Sequence, residues 1–245
     1  MVHGVGEHCG RYRPFVDYFT KKGYKVCVYD QRGHGRSDGR RVYIRKFENF
    51  KKDLDAFSNF CRQGDSSYPW FLVGHSMGGQ IVLNYLAEFP GRFRAACATS
   101  PNLEIALTLP KWIEVLGKLV LLVWPTMKLK ELTNPDWLTH DSKIVEEYRK
   151  DPLVYPYVTL KIGKEIVKNL EQIFTLCNKI RTPLLMLHGS EDRYCHVNGT
   201  KRFFEELTLA QKQLKIYEGL YHELFHETRR EDIFHDVEHW FSRWI

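Results

Sequence analysis

Apolar positions in this chain fall into short, nearly continuous runs, separated by longer stretches where they recur every three or four residues. The runs are YKVCVYD (24–30), WFLVGHS (70–76), RAACATS (94–100), PLLMLHGSED (183–192) and QLKIYEG (213–219). Apolar side chains at both odd and even positions suit strands covered on both faces. Between the runs, helical spacing predicts helices over 12–22, 47–62, 79–89, 199–207 and 230–244. This alternation with short connections predicts an α/β fold built on a doubly wound, mostly parallel sheet.

The alternation breaks once. Residues 102–176 read as helices and loops without a convincing strand, punctuated by Pro110, Pro125, Pro135, Pro152 and Pro156. A helical cap folded over the carboxyl ends of the strands fits this pattern, with residues 1–101 and 177–245 forming the two parts of the core. Within it, KWIEVLGKLVLLVW (111–124) carries only a thin polar stripe of Lys111, Glu114 and Lys118. It falls short of the roughly 20 residues a membrane span needs. Two readings stay open: a helix buried between cap and core, or a lid helix touching lipid with Lys118, Lys128 and Lys130 near head groups.

Composition narrows the class. A chain of 245 residues, 43% hydrophobic, buries a full core as one domain with one insertion. The net charge of +6 is spread among interleaved acids, which argues against a nucleic-acid footprint and leaves a mild preference for anionic surfaces. Cys9, Cys27, Cys61, Cys97, Cys177 and Cys195 are scattered, with no CxxC pair and no leader before them, so a reducing, cytoplasmic setting is expected. Contact with a membrane would be peripheral, through the cap helix. His235 and His239 stand one helical turn apart without an evident third ligand, so neither metal nor cofactor is expected.

The strongest chemical signal is Gly74-His75-Ser76-Met77-Gly78, a G-x-S-x-G between an apolar run and a helical pattern. Such a turn forces the serine into a strained conformation that presents its Oγ, and Ser76 is the expected nucleophile. The acid and then the histidine follow the nucleophile along the chain, beyond later strands. Asp192 is preferred to Glu191 as the acid, because the two neighbours point in different directions. His222 is preferred to His226 as the base, being closer to the strand end. Glu223 and Glu227 read as capping or surface groups, and the other histidines as surface or local hydrogen-bonding residues. A tetrahedral oxyanion needs two backbone N–H donors, for which Met77 and Val5, in the loop His3-Gly4-Val5-Gly6, are the candidates.

With these residues placed, HGVGEHCGRY, YDQRGHGRSDG, GHSMGG, DPLVYPYVTLKIGKEI, GSEDRYC and IYEGLYHEL together resemble the monoacylglycerol lipase and lysophospholipase group of the α/β-hydrolase fold. The resemblance runs across nearly the whole chain. It implies Ser76, Asp192 and His222 as a triad, Val5 and Met77 at the oxyanion hole, and a cap over an acyl-chain tunnel. It also places Cys195 near the glycerol end of the site as a modifiable thiol. Arg193 is the candidate for a phosphate head group.

The expected activity is hydrolysis of monoacylglycerol to glycerol and a fatty acid. The alternatives are a lysophospholipase or general carboxylesterase, a peptidase on the same fold, and a shortened, catalytically impaired lipid-binding form. The last arises because the resemblance implies a hairpin and a complete central strand ahead of HGxG. Here Met1 and Val2 alone precede that loop; truncation, an inactive or poorly folded isoform, and a central slot filled by another segment compete, and truncation is the expectation. Oligomeric state is left open.

Overall fold

Four of the five apolar runs lie side by side. The computed structural model describes residues 1–63, 67–106, 120–129 and 134–245. Its strands are β1 (Phe71–His75), β2 (Ala95–Thr99), β3 (Lys128–Leu129), β4 (Val158–Thr159), β5 (Leu184–Gly189) and β6 (Lys212–Tyr217). The main sheet runs β1-β2-β5-β6, every pair parallel, and β3 and β4 form a separate two-residue antiparallel ladder. The helices are α1 (Arg13–Lys21), α2 (Glu48–Arg62), α3 (Met77–Glu88), α4 (Ser142–Lys150), α5 (Leu160–Ile173), α6 (Val197–Glu206) and α7 (Arg230–Ser242).

The two-sided apolar runs have the expected consequence. Leu72, Ala96, Ala98, Leu184 and Met186 join Phe50 and Leu54 of α2, Ile81 and Tyr85 of α3 and Phe203 of α6 in one core layer. Their alternates Val73, Ala95, Cys97, Leu185 and Leu187 join Phe15 and Phe19 of α1 and Ile233, Val237 and Phe241 of α7 in the other. Successive strand residues face opposite ways, so each run feeds both layers. The small side chains of β2 let both helical layers approach the middle of the sheet closely.

The run 24–30 differs from expectation: it forms no ladder among the described residues. Met1 N donates to Cys27 O at 2.7 Å, Val2 N to Val73 O at 2.8 Å, and His75 N to Val2 O at 3.0 Å. Val2 is fully buried and stands in the central slot, bridging in parallel to Gly74. Two residues offer too few paired groups to make a strand of 24–30. Side chains organise the end of this run instead: the Asp30 carboxylate accepts from Cys9 N and Arg36 N, each at 2.8 Å.

Within 102–176, the expectation of no strand is corrected by the β3–β4 ladder, and α5 joins the core layer. Ile162, Ile166 and Ile173 are buried there. Asn84 and Asn169 exchange amide hydrogen bonds at 2.9 Å in each direction, and Gln80 Nε2 donates to Ile166 O at 3.2 Å, tying α5 to α3. Most of the apolar helix expected over 111–124 lies outside the described residues. Leu122, Val123 and Trp124, at its end, are largely exposed.

Phe203 is fully buried, with its ring 5.6 Å from that of Phe174. Phe203→Ala is expected to cost about 3–5 kcal/mol of stability, read as a lower urea midpoint with an unchanged transition slope.

Candidate active site

Ser76 stands between the end of β1 and the first turn of α3 with φ 54° and ψ −120°. A non-glycine residue holds such a backbone only when its surroundings over-determine it. Here Ser76 N donates to Thr99 O at 3.0 Å, while Ser76 O accepts from Gln80 N and Asn102 N, each at 3.1 Å. The flanking glycines are required by close approach. A Cβ on Gly74 would lie 2.4 Å from Gly78 O, and one on Gly78 would lie 2.2 Å from Val2 O. The turn therefore fits only between strand and helix in contact, with its serine side chain presented at the helix N-terminus.

Loops after two other strands meet this serine. His222 Nε2 lies 2.9 Å from Ser76 Oγ, and His222 Nδ1 donates to Asp192 Oδ2 at 2.6 Å. Asp192 Oδ1 accepts from Tyr194 N at 2.8 Å and Cys195 N at 2.9 Å, so its own turn fixes the carboxylate. Glu191 is exposed and points away. Burial works against charge on both groups. The His222 imidazole and the hydrogen bonds from His188 and His222 nevertheless hold the Asp192 carboxyl well below the usual range. In turn Asp192, with Glu223 and Glu7 further off, overcomes the burial of His222 and raises its pKa above the ordinary 6.5. The arrangement can take a proton from Ser76 and hold the resulting imidazolium.

The His3-Gly4-Val5-Gly6 loop lies over the serine. Gly4 is close enough that an added Cβ would sit 3.3 Å from Ser76 Cβ. Gln31 N donates to His3 Nε2 at 3.0 Å, and Gly4 N donates to Glu7 Oε1 at 2.5 Å. The N–H groups of Val5 and Met77 have no hydrogen-bond partner among the described residues. Unclaimed backbone donors of this kind can receive an oxyanion.

Glu223 and Glu227, expected at the surface or as caps, are instead buried beneath the site. Arg11 Nη1 and Nη2 donate to the two oxygens of Glu223, both at 2.6 Å, and Nη1 also reaches Glu7 Oε2 at 2.7 Å. Tyr12 OH donates to Glu7 Oε1 at 2.6 Å. His226 Nδ1 stands 3.1 Å from Glu223 Oε2 and its Nε2 donates to Arg11 O at 2.9 Å, so this imidazole is committed below the site. Against the cost of burial, Arg11 and His226 hold the Glu223 carboxyl well below its usual range. Glu227, with no exposed surface, accepts from His140 N at 3.1 Å and Tyr221 N at 3.0 Å, bracing the His222 loop from its other side. Neither pattern is visible locally, because Arg11 and His140, which hold the two carboxylates, lie 212 and 87 positions away.

Several other histidines also depart from the surface reading. His3, His34, His75 and His188 are all buried. Burial, and next the neighbouring His222, lower the pKa of His75 to about 3, so it is a neutral wall of the site. The Cys195 thiol is buried beside Ser76, and burial and then Asp192 hold its pKa well above the usual range. It stays a thiol. Arg193 is exposed, its guanidinium 5.4 Å from the Tyr221 ring centroid and 5.8 Å from that of Trp137, with no carboxylate partner among the described residues.

Asp192, Cys195 and His222 bring metal-ligand atoms within 4.8 Å of one another. The Asp192–His222 hydrogen bond already uses the best-placed pair. The His235 and His239 rings lie parallel, 6.5 Å apart.

Arg11→Ala would leave Glu7 and Glu223 buried without their shared cation. Such a change is expected to cost about 3–5 kcal/mol of stability, measured by urea unfolding. Arg13→Ala, which breaks an exposed pair with Asp17, should leave the urea midpoint nearly unchanged.

Known proteins resemble this chain along nearly its whole length. The family model described as Serine aminopeptidase, S33 matches residues 1–229. The monoacylglycerol lipase of Mycolicibacterium smegmatis is 31% identical over 228 residues, which cover 91% of this chain and 80% of that protein. An uncharacterized abhydrolase domain-containing protein of Dictyostelium discoideum is 32% identical over 91% of this chain, which spans 24% of that longer protein. Among solved structures, the monoacylglycerol lipase of Paleococcus ferrophilus superposes with a TM-score of 0.90 at 29% identity, over 100% of this chain and 93% of that one. The chain belongs to the serine aminopeptidase S33 family of α/β-hydrolases, in its monoacylglycerol lipase group, and is a hydrolase.

Proposed function

We propose that this chain hydrolyses single-chain lipid esters, monoacylglycerols foremost, through an acyl-enzyme on Ser76. The observation that carries the reading is the hydrogen-bonded series Ser76–His222–Asp192 at a strained turn, beside the two unclaimed N–H groups of Val5 and Met77. His222 Nε2 takes the Ser76 hydroxyl proton as Oγ attacks the ester carbonyl, and the carbonyl oxygen becomes an oxyanion that accepts from Val5 and Met77. As the tetrahedral intermediate collapses, His222 returns the proton to the departing alcohol. A water deprotonated by His222 then attacks the acyl carbonyl, and a second collapse releases the fatty acid and restores the Ser76 hydroxyl. Asp192 stays ionised throughout and steadies the imidazolium. No step calls for a metal or cofactor.

The substrate class rests on the monoacylglycerol lipases to which the chain is similar and on the segment between the two halves of the core. In this reading residues 102–176 cover the site, and Cys195 lies at the alcohol end. Leu122, Val123 and Trp124 are 80%, 84% and 60% exposed, a greasy edge suited to peripheral contact with a lipid surface. Among the described residues no helix is long and apolar enough to cross a membrane. The lysophospholipid reading draws on Arg193, a cation near the triad with no carboxylate partner among the described residues.

Ser76→Ala should abolish both ester turnover and labelling by a fluorophosphonate; persistent turnover in this variant would overturn the reading. Turnover of monoacylglycerol should exceed that of lysophosphatidylcholine, and the reverse preference would move the assignment to the phospholipid. Because His222 must be neutral to act as base, kcat/KM should fall as pH drops through its raised pKa. The acid limb of the profile is thus expected above the ordinary imidazole value of 6.5.

A further inference from the structure

The catalytic reading above uses one imidazole, yet a second one touches its acid. His188 is the fifth residue of β5, four positions before Asp192, and is completely buried. Its Nε2 lies 2.9 Å from Cys195 O and 3.1 Å from Asp192 Oδ2. Both neighbours are acceptors, so Nε2 carries the proton. Its Nδ1 lies 2.8 Å from Thr200 Oγ1, and in the neutral ring that nitrogen accepts from the threonine hydroxyl. Thr200 is itself fully buried on α6, which fixes both the tautomer and the plane of the ring.

We infer that His188 is a positioning residue for the catalytic acid, acting on it twice. Directly, its Nε2–H stands beside Asp192 Oδ2, the oxygen that accepts from His222 Nδ1 at 2.6 Å. Indirectly, it holds Cys195 O, and Cys195 N is one of the two backbone donors that fix Asp192 Oδ1. A carboxylate has two oxygens and one free torsion toward the imidazole. Here the turn pins one oxygen, His222 and His188 share the other, and His188 also anchors the turn. Asp192 therefore cannot rotate away from His222 without breaking contacts on both oxygens. This inference rests on the proposed Ser76–His222–Asp192 chemistry and adds to it a fourth side chain that meets neither substrate nor nucleophile.

The test compares three variants of the full chain on a short p-nitrophenyl ester, each first checked for cooperative unfolding. His188→Leu removes all three polar contacts of the ring. Its kcat should fall roughly tenfold to a hundredfold, the scale of a small misplacement in a catalytic group, with KM nearly unchanged. A carboxylate free to turn away from His222 supports its imidazolium less, so the acid limb of kcat/KM should move to lower pH. His188→Gln places an amide N–H near the position of Nε2 and should restore most of the rate and the original limb. Thr200→Val removes the hydroxyl that orients the ring. It should give a smaller loss with the limb displaced the same way, and it carries the test if His188→Leu fails to fold.

Folded variants with wild-type kcat and an unmoved acid limb would overturn the inference, as would a folded His188→Gln as impaired as His188→Leu. Failure of the underlying catalytic reading would look different: Ser76→Ala would retain turnover, whatever the His188 variants did.

Discussion

The Arg11 guanidinium is the constraint on which the geometry of the site depends. It binds Glu223 with both terminal nitrogens and Glu7 with one, all within a few percent of full burial. Glu7 holds Gly4 N in the loop that offers Val5, while Glu223 follows His222 in sequence. One cation therefore spaces the loop at the front of the chain against the loop that delivers the imidazole. A buried ion pair gains little net stability over an apolar contact of the same volume. Its geometry is nevertheless exacting, since a planar fork meets a carboxylate well in few orientations. Specification of distance between two loops is the more important consequence.

The other supports serve the same end. Ser76 is held in a conformation it would not adopt alone by Thr99, Gln80 and Asn102, residues that belong to β2, α3 and the loop after β2. Asp192 is held by its own turn, and Glu227 ties Tyr221 and His140 together on the outer side of the His222 loop. Polar groups buried near the site thus act on backbone as much as on each other. Low dielectric strengthens each such bond and makes its loss costly. The site's backbone is thus held from several sides, whereas Leu122, Val123 and Trp124 stand exposed.

Legibility in the sequence follows the range of the cause. β1, β2, β5 and β6 could be read from apolar runs because two-sided burial leaves a local compositional trace. Ser76 could be read because G-x-S-x-G is a single turn whose steric demands lie within five residues. The order Ser76, Asp192, His222 could be read because each follows the end of an apolar run, those of β1, β5 and β6. The run 24–30 was misleading: its composition suits a strand, but a strand also needs a neighbour, and Met1 and Val2 supply just two residues of one. Glu223 and Glu227 were misleading for a related reason. A charged residue looks exposed unless its partner is known, and the partners of these two include Arg11 and His140. His188 lay in an apolar run, where nothing local distinguishes an imidazole that packs from one that holds an acid.

What the sequence determined by itself was therefore the parallel two-layered architecture and the chemical types at the site. Periodicity and turn sterics act between near neighbours, and their signal is written in consecutive residues. Tertiary structure alone decided that Glu223 and Glu227 are buried and held by Arg11 and His140. It also decided that Val2 sits in the central slot, and that Arg11, Glu223 and His188 belong to the site's support. His188 meets residues four to twelve positions on, but the other outcomes depend on contacts between residues tens to hundreds of positions apart. Hydrogen bonds and ion pairs at such separations exist only once the sheet has brought its loops to one edge.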